Sequence, residues 1–193
     1  ALPADYATQL ASLQSHAPPM GAAFVKRRMI AELGSEWRTH FESFDLQPTA
    51  AASLGQVHRA KDHDGNSLAV KLQYPDMASA VEADLNQLKT LFALHRQFNP
   101  AIDTQEVARE IGERVREELD YAREAKHAAL YALMLKGAEN VRVPHVRHEL
   151  STGRLLSLQW LDGRKLLDFK QADQETRNRL AVAMFRAWWH PFS

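Results

Sequence analysis

Three stretches of this chain carry residue types at spacings that could do chemistry. The first is Ala50-Ala51-Ala52-Ser53-Leu54-Gly55-Gln56-Val57, a run of small side chains leading into a strand, followed fourteen residues after Val57 by Lys71 in Ala69-Val70-Lys71. Small residues let backbone approach a phosphate, and a lysine on the next strand brings a positive charge to it. A tight turn and a solvent-facing lysine would read the same way, so this stretch by itself leaves both open. The second is Glu117-Glu118-Leu119-Asp120-Tyr121-Ala122-Arg123-Glu124-Ala125, with carboxylates that could pair a lysine. The third is His145 and His148 around Val146-Arg147. Two histidines without a third ligand at suitable spacing read as surface residues rather than a metal site. The absence of cysteine excludes disulfides, zinc-thiolate sites and thiol nucleophiles. No Gly-x-Ser-x-Gly, His-Glu-x-x-His or Walker lysine loop occurs.

The spacing of the first stretch matches a protein-kinase glycine-rich loop and its strand lysine. Against the pattern G-x-G-x-x-G-x-V the chain reads Ala50-x-Ala52-x-x-Gly55-x-Val57, with alanine at the first two glycine positions. A kinase reading also needs a helix carboxylate to pair the lysine. At about 100° per residue, Val107, Ile111, Val115, Leu119, Ala122, Ala129 and Leu133 fall on one apolar stripe. Asp120 and Glu124 share the opposite face, while Glu118 falls beside or within the stripe. A carboxylate there is costly unless paired. Either Glu118 snorkels out at the helix edge, or the helix is sandwiched between two layers that each supply a cation or metal.

The elements that must position these groups alternate in period. Tyr6, Leu10 and Leu13 predict a helix over residues 5–14, interrupted by Pro18-Pro19. Phe24, Met29, Ile30 and Leu33 predict a second helix capped by Gly34, and Trp37 and Phe41 a short third. Lys26-Arg27-Arg28 could touch anionic lipid or form a solvated face. Gln56–Ala60 and Ser67–Leu72 flank Asp62-His63-Asp64-Gly65-Asn66 and predict an antiparallel hairpin. After Pro75, Val81, Leu85, Leu88, Leu91 and Leu94 predict a helix to about His95. The next helix starts at Asp103 or Thr104, with Glu106 placed for a capping box, and its pattern persists to Leu135, a length that calls for a kink. Val141-Arg142-Val143 and Leu155–Leu161 read as strands, and residues 165–170 and 173–189 as helices.

Thr49 to His58, Ala69-Val70-Lys71-Leu72-Gln73-Tyr74-Pro75 and Glu118 to Ala125 together resemble the AarF/UbiB/ADCK family of atypical, protein-kinase-like proteins. The resemblance runs from Leu2-Pro3 to Asp162-Gly163. It implies an α+β fold: a family-specific helical extension (1–43), a kinase-like N-lobe of small antiparallel sheet and long αC-type helix (44–163), and the start of a helical C-lobe (164–193). It implies that Ala50, Ala51, Ala52 and Ser53 form an alanine-rich loop that alters nucleotide preference and restrains ordinary protein phosphorylation. Gly55 and Val57 complete that loop, and Lys71 contacts the nucleotide phosphates and pairs with Glu124. Glu118 and Asp120 match an E-x-D motif that faces the helical extension. Leu158 falls at the gatekeeper, and Gln159, Trp160 and Leu161 at the adenine-binding hinge, although family members more often carry an acidic residue where Gln159 stands. The family's K-x-G-Q motif would lie before residue 1, and its H-x-D-P-H-x-x-N and metal-binding D-F-G segments after Ser193. The chain then reads as a piece of a longer protein, without turnover alone.

The implied cofactors are ATP or ADP with magnesium, the metal ligands lying outside this chain. The implied role is support of ubiquinone or related isoprenoid-quinone biosynthesis. Quinone-biosynthesis proteins or lipid precursors are the implied partners, in the cytoplasm or at the inner face of a membrane. A non-catalytic nucleotide- or lipid-sensing scaffold is the competing reading. Composition agrees with a globular chain: 193 residues, 45% hydrophobic and 25% charged. Lys+Arg and Asp+Glu balance at 24 each, so no global field draws it to nucleic acid. No apolar run reaches the roughly 18 residues of a membrane span, so membrane contact would be peripheral. Trp188 and Trp189 read as helix core or as a seam with a further lobe.

Overall fold

The structure is a computed structural model that describes residues 20–98 and 104–192. The helix expected over residues 5–14, the Pro18-Pro19 break and, in the expected capping box, Asp103 and the Thr104 side chain lie outside the described residues.

Five antiparallel strands form one sheet: β1 (Ser43–Phe44), β2 (Ala50–Ala52), β3 (Gly55–Lys61), β4 (Ser67–Gln73) and β5 (Leu155–Gln159). The order is β1-β3-β4-β5, with β2 also paired to β3. The hairpin predicted between β3 and β4 is present, with His58 facing Val70 and Val57 facing Lys71. Asp62 builds its turn. The carboxylate accepts from the backbone of Asp64 (3.1 Å) and Asn66 (2.8 Å) while Gly65 takes a φ of +84°. Arg147 reaches across from the segment before β5 and pairs with the same buried carboxylate.

Alternation along the strands gives the sheet two different faces. Leu68, Val70, Leu72, Ala60 and Leu155 point to one and are buried with Phe24, Val25 and Met29 of helix α1 (Ala22–Leu33) and with Trp37, Phe41 and Leu150. Residues 37–41 enter this core through a 3-10 turn, Trp37–His40, rather than an α-helix. Arg28 turns inward to Glu32 at 3.2 Å, so only Lys26 and Arg27 of the basic run are exposed. Lys71, Ala69 and Leu156 point to the other face, where Leu156 packs with Tyr121 and Ala125.

Helix α2 (Met77–Phe98) and helix α3 (Thr104–Glu118) pack side by side. α2 buries Val81 and Leu85 but leaves Leu91 and Leu94 exposed. The long helix expected through Leu135 is two helices, α3 and α4 (Tyr121–Met134). The last turn of α3 tightens, with Leu119 N–H donating to Arg116 O and Asp120 N–H to Glu117 O, both 3.1 Å. The Asp120 side chain then accepts from Arg123 N–H at 3.0 Å and caps α4. This break overturns the single apolar stripe: Val107, Ile111 and Leu133 are exposed, and α4 instead buries Tyr121 and Ala125.

Val141-Arg142-Val143 is not a strand; pairing with β5 comes only after it, where Val146 bridges to Leu158. Asn140, with φ +63°, and Pro144, which has no N–H to give, flank the segment. β5 stops at Gln159, two residues before the predicted end. Residues 165–170 form a 3-10 turn, Leu166–Phe169, and helix α5 (Gln174–Trp189) follows, capped by Asp173. α5 has no buried residue, and Trp188 and Trp189 are exposed, so among the described residues they are not helix core.

Candidate functional site

Lys71 stands in the middle of β4, opposite Val57 on β3 and Leu156 on β5. Its ammonium lies 2.7 Å from Glu124 Oε2 and 4.5 Å from the centre of the Tyr121 ring. Glu124 and Tyr121 are three apart on α4, one helical turn, so both reach the same side chain. The helix is held at this height by backbone and side-chain contacts at its start. Tyr121 N–H donates to Gly153 O at 3.2 Å, and Gln73 Nε2 to Leu119 O at 2.9 Å. Lys71 is therefore fixed by charge on one side and by an aromatic surface below.

Ala50, Ala51 and Ala52 form strand β2 itself rather than an open loop, each paired to Val57, Gln56 and Gly55 respectively. Ser53 and Leu54 make the turn. A Cβ on Gly55 would sit 2.2 Å from Leu72 O, so glycine is required for strands β3 and β4 to approach. The three residues of β2 thus present only methyl side chains.

The carboxylates separate into distinct roles. Glu124 is half-buried and pairs with Lys71, while Asp120 caps its own helix. Glu118, the last residue of α3, is exposed and makes no hydrogen bond or ion pair among the described residues. Beside it, Glu117 takes both Arg114 and Arg123 at 2.9 Å. Glu117, Glu118, Glu124 and the two arginines, with Lys71 and His127 but without Asp120, surround a cavity of about 390 Å³ beside the helix break. α1 does not cover it, because α1 lies against the opposite face of the sheet. Burial pushes the Tyr121 phenol well above its usual range, helped by the charges of Glu124 and Glu118.

Leu158 faces Ala69 and packs against the Tyr121–Leu156 cluster, at the back of this site. In the segment after it, Gln159 N–H is taken by His145 O (2.8 Å) and Trp160 N–H by Ser67 O (2.9 Å). The Trp160 indole donates to Asp162 at 2.8 Å and lies under Arg59, and Leu161 is exposed. His145 and His148 are exposed, and no group of three or more His, Asp or Glu residues is placed to hold a metal among the described residues. Two contributors were missed from sequence. Tyr121 stands one turn from Glu124, and Gln73 stands two along the strand from Lys71, on the same face; both spacings could have been read.

Residues 12–190 match the ABC1 atypical kinase-like domain. The chain belongs to that family. Among relatives, it is 31% identical over 96% of its length to the mitochondrial atypical kinase COQ8 of Saccharomyces cerevisiae, covering 37% of that protein. It is 34% identical over 86% of its length to AarF domain-containing protein kinase 1 of Mus musculus, covering 32% of it. The solved structure of Rv3197 from Mycobacterium tuberculosis in complex with erythromycin superposes with a TM-score of 0.74 at 34% identity, over 92% of this chain and 44% of that one. The chain spans about a third of the length of the curated relatives it matches. The kinase-like α+β fold expected from the sequence is the fold of this ABC1 chain. No helix among its described residues is long and apolar enough to cross a membrane.

Proposed function

We propose that this chain is the nucleotide-binding part of a UbiB-type atypical kinase or ATPase, with Lys71 meeting the nucleotide phosphates and Glu124 holding it in place. The observation that carries the reading is the Lys71–Glu124 pair at 2.7 Å on the sheet face opposite the core. Three alanines in β2 and a Gly55 that tolerates no Cβ form a hairpin without bulk, the kind of surface a phosphate chain can approach. Alanine methyls in place of glycine narrow that approach, which is why ADP and ATP are expected to be discriminated. Leu158 would close the back of the adenine site, and the Gln159–Leu161 segment would edge it. Val57 and Ala69 would line its roof.

A bound nucleotide would supply the transferable phosphoryl group; this chain's residues bind and orient it. The described residues offer no group of three metal-ligating side chains, so no metal role is assigned to them. Glu118, free and exposed beside Glu124, is the carboxylate left for a cation from another segment. Support of isoprenoid-quinone biosynthesis follows the naming of the COQ8 relatives, several of which are mitochondrial. A peripheral position at a membrane surface completes the proposal.

The test is equilibrium binding of MgATP and MgADP to the full-length protein. Lys71→Ala and Glu124→Gln should each weaken one or both nucleotides by about tenfold or more, the scale of a lost charge-assisted bond. Unchanged affinity in both variants, with folding intact, removes the nucleotide reading.

A further inference from the structure

On the core face of the sheet, two positions of β3 that alternation assigns to apolar residues are Gln56 and His58, both fully buried. Buried polar side chains are costly unless every group finds a partner, so their partners show what they are for. The Gln56 amide engages both backbone groups of one residue. Met20 N–H donates to its Oε1 at 2.9 Å, and its Nε2 donates to Met20 O at 3.2 Å. The remaining Nε2 hydrogen points at His58 Nε2, 2.9 Å away. An amide nitrogen donates only, so His58 Nε2 accepts, and the ring proton on Nδ1 donates to Asp45 O at 2.8 Å. Phe44 stacks on the ring at 5.5 Å. The result is an unbroken line from Met20 through Gln56 and His58 to the loop before β2.

A second line starts on α1. Arg28 Nη2 donates to Tyr74 O at 3.4 Å, and Tyr74 N–H donates to Leu54 O at 3.0 Å. Leu54 is in the turn that closes β2 on β3, and the Gln56 backbone faces Ala51. Both lines therefore run from α1, or from Met20 two residues before its start, to the alanine-rich hairpin and the loop before it.

We propose that α1 and Met20 act as a brace that sets the position of the Ala50–Leu54 hairpin, with Gln56 as its positioning residue, so that the seating of α1 on the core face of the sheet is coupled to the nucleotide site on the other face. The coupling to nucleotide rests on the proposed function; the brace itself does not. Gln56 faces away from Lys71 and touches no ligand position, so its effect passes through the strand it sits on. Asparagine in its place would be one carbon too short to reach both Met20 groups and His58.

Amide hydrogen exchange followed by mass spectrometry on the full-length protein tests the brace, with Gln56→Leu breaking the first line and Arg28→Met the second. Each should speed exchange of residues 49–55 by about tenfold or more while the central β4 amides, 68–72, keep their wild-type protection. Gln56→Glu, which still accepts from Met20 N–H, should recover part of the protection lost in Gln56→Leu. MgADP affinity should shift by about threefold or more in the same variants. Acceleration spread evenly over the sheet, or no change at 49–55 in either variant, overturns the proposal. Local loosening in a protein whose wild type binds no nucleotide leaves the brace standing and removes the nucleotide reading instead.

Discussion

Replacing Gly55 by alanine places a methyl group where the β2–β3 hairpin meets β4. The new Cβ would lie 2.2 Å from Leu72 O, 3.0 Å from its carbonyl carbon and 3.0 Å from the Tyr121 hydroxyl. Comfortable non-bonded contacts of carbon begin near ~3.5 Å, so the strands must part by about 1 Å where Gly55 faces Gln73. Overpacking of this kind costs about 1–3 kcal/mol. A ladder hydrogen bond lost in the separation adds about 1 kcal/mol. The sum, about 2–4 kcal/mol, corresponds to a fall in Tm of roughly 5–15 °C for a chain of this size. Gly55 is not in the left-handed region, so the whole effect is steric. Gly65→Ala is the matching control: its φ is +84° but the nearest atom to the new Cβ is Lys61 Cε at 4.0 Å, so only conformational strain of about 1–2 kcal/mol applies. Urea denaturation of both variants, with the slope checked for constancy, measures the two costs. A Gly55→Ala protein within about 0.5 kcal/mol of wild type would refute the packing argument at the hairpin.

Three further outcomes follow from buried groups. Asp62→Ala should cost about 2–4 kcal/mol by urea melts, because it removes the buried partner of Arg147, leaving it only the exposed Glu149, and dissolves the β3–β4 turn. Burial alone would raise the Asp62 carboxyl, but bonds from Asn66 and Arg147 hold it below its usual value. Its contribution is therefore complete above the unfolded pKa of about 3.9 and is lost as pH falls through the lower folded value. The gap between wild type and Asp62→Ala should narrow only in that acid window, and a gap that is flat to pH 2 contradicts it. Tyr121→Phe should leave stability unchanged or raise it by up to about 1 kcal/mol, since the buried hydroxyl has no hydrogen-bond partner among the described residues; a clear loss by thermal melt would reveal one. Nitrogen NMR of His58 should find the Nδ1–H tautomer, neutral to below the usual histidine range because burial disfavours the cation. An Nε2–H signal would mean the Gln56 amide is turned the other way.

Sequence determined the local features of this protein. The Asp-Gly turn, the β3 and β4 strands with Lys71 at their centre, and the helix carrying Glu124 follow from period, turn chemistry and motif spacing. So does the need for some irregularity in a helix running from residue 103 to 135. What the pattern could not contain was where that helix breaks. Asp120 reads as one more acid on a helical face until Gly153 and Gln73 take the backbone groups at Tyr121 and Leu119 and turn it into a cap. That break rotates Val107 and Ile111 away from the face of Tyr121 and Ala125, which is why one stripe drawn through both halves failed. The short strands show the same division. Ala50–Ala52 has little strand character of its own and becomes a strand only because β3 offers it a ladder. Val141–Val143 has the character but finds no edge to pair with. Local propensity is encoded within a few residues, whereas hydrogen-bond partners for a helix end or a strand edge come from segments dozens of residues away, and only the folded chain brings those together.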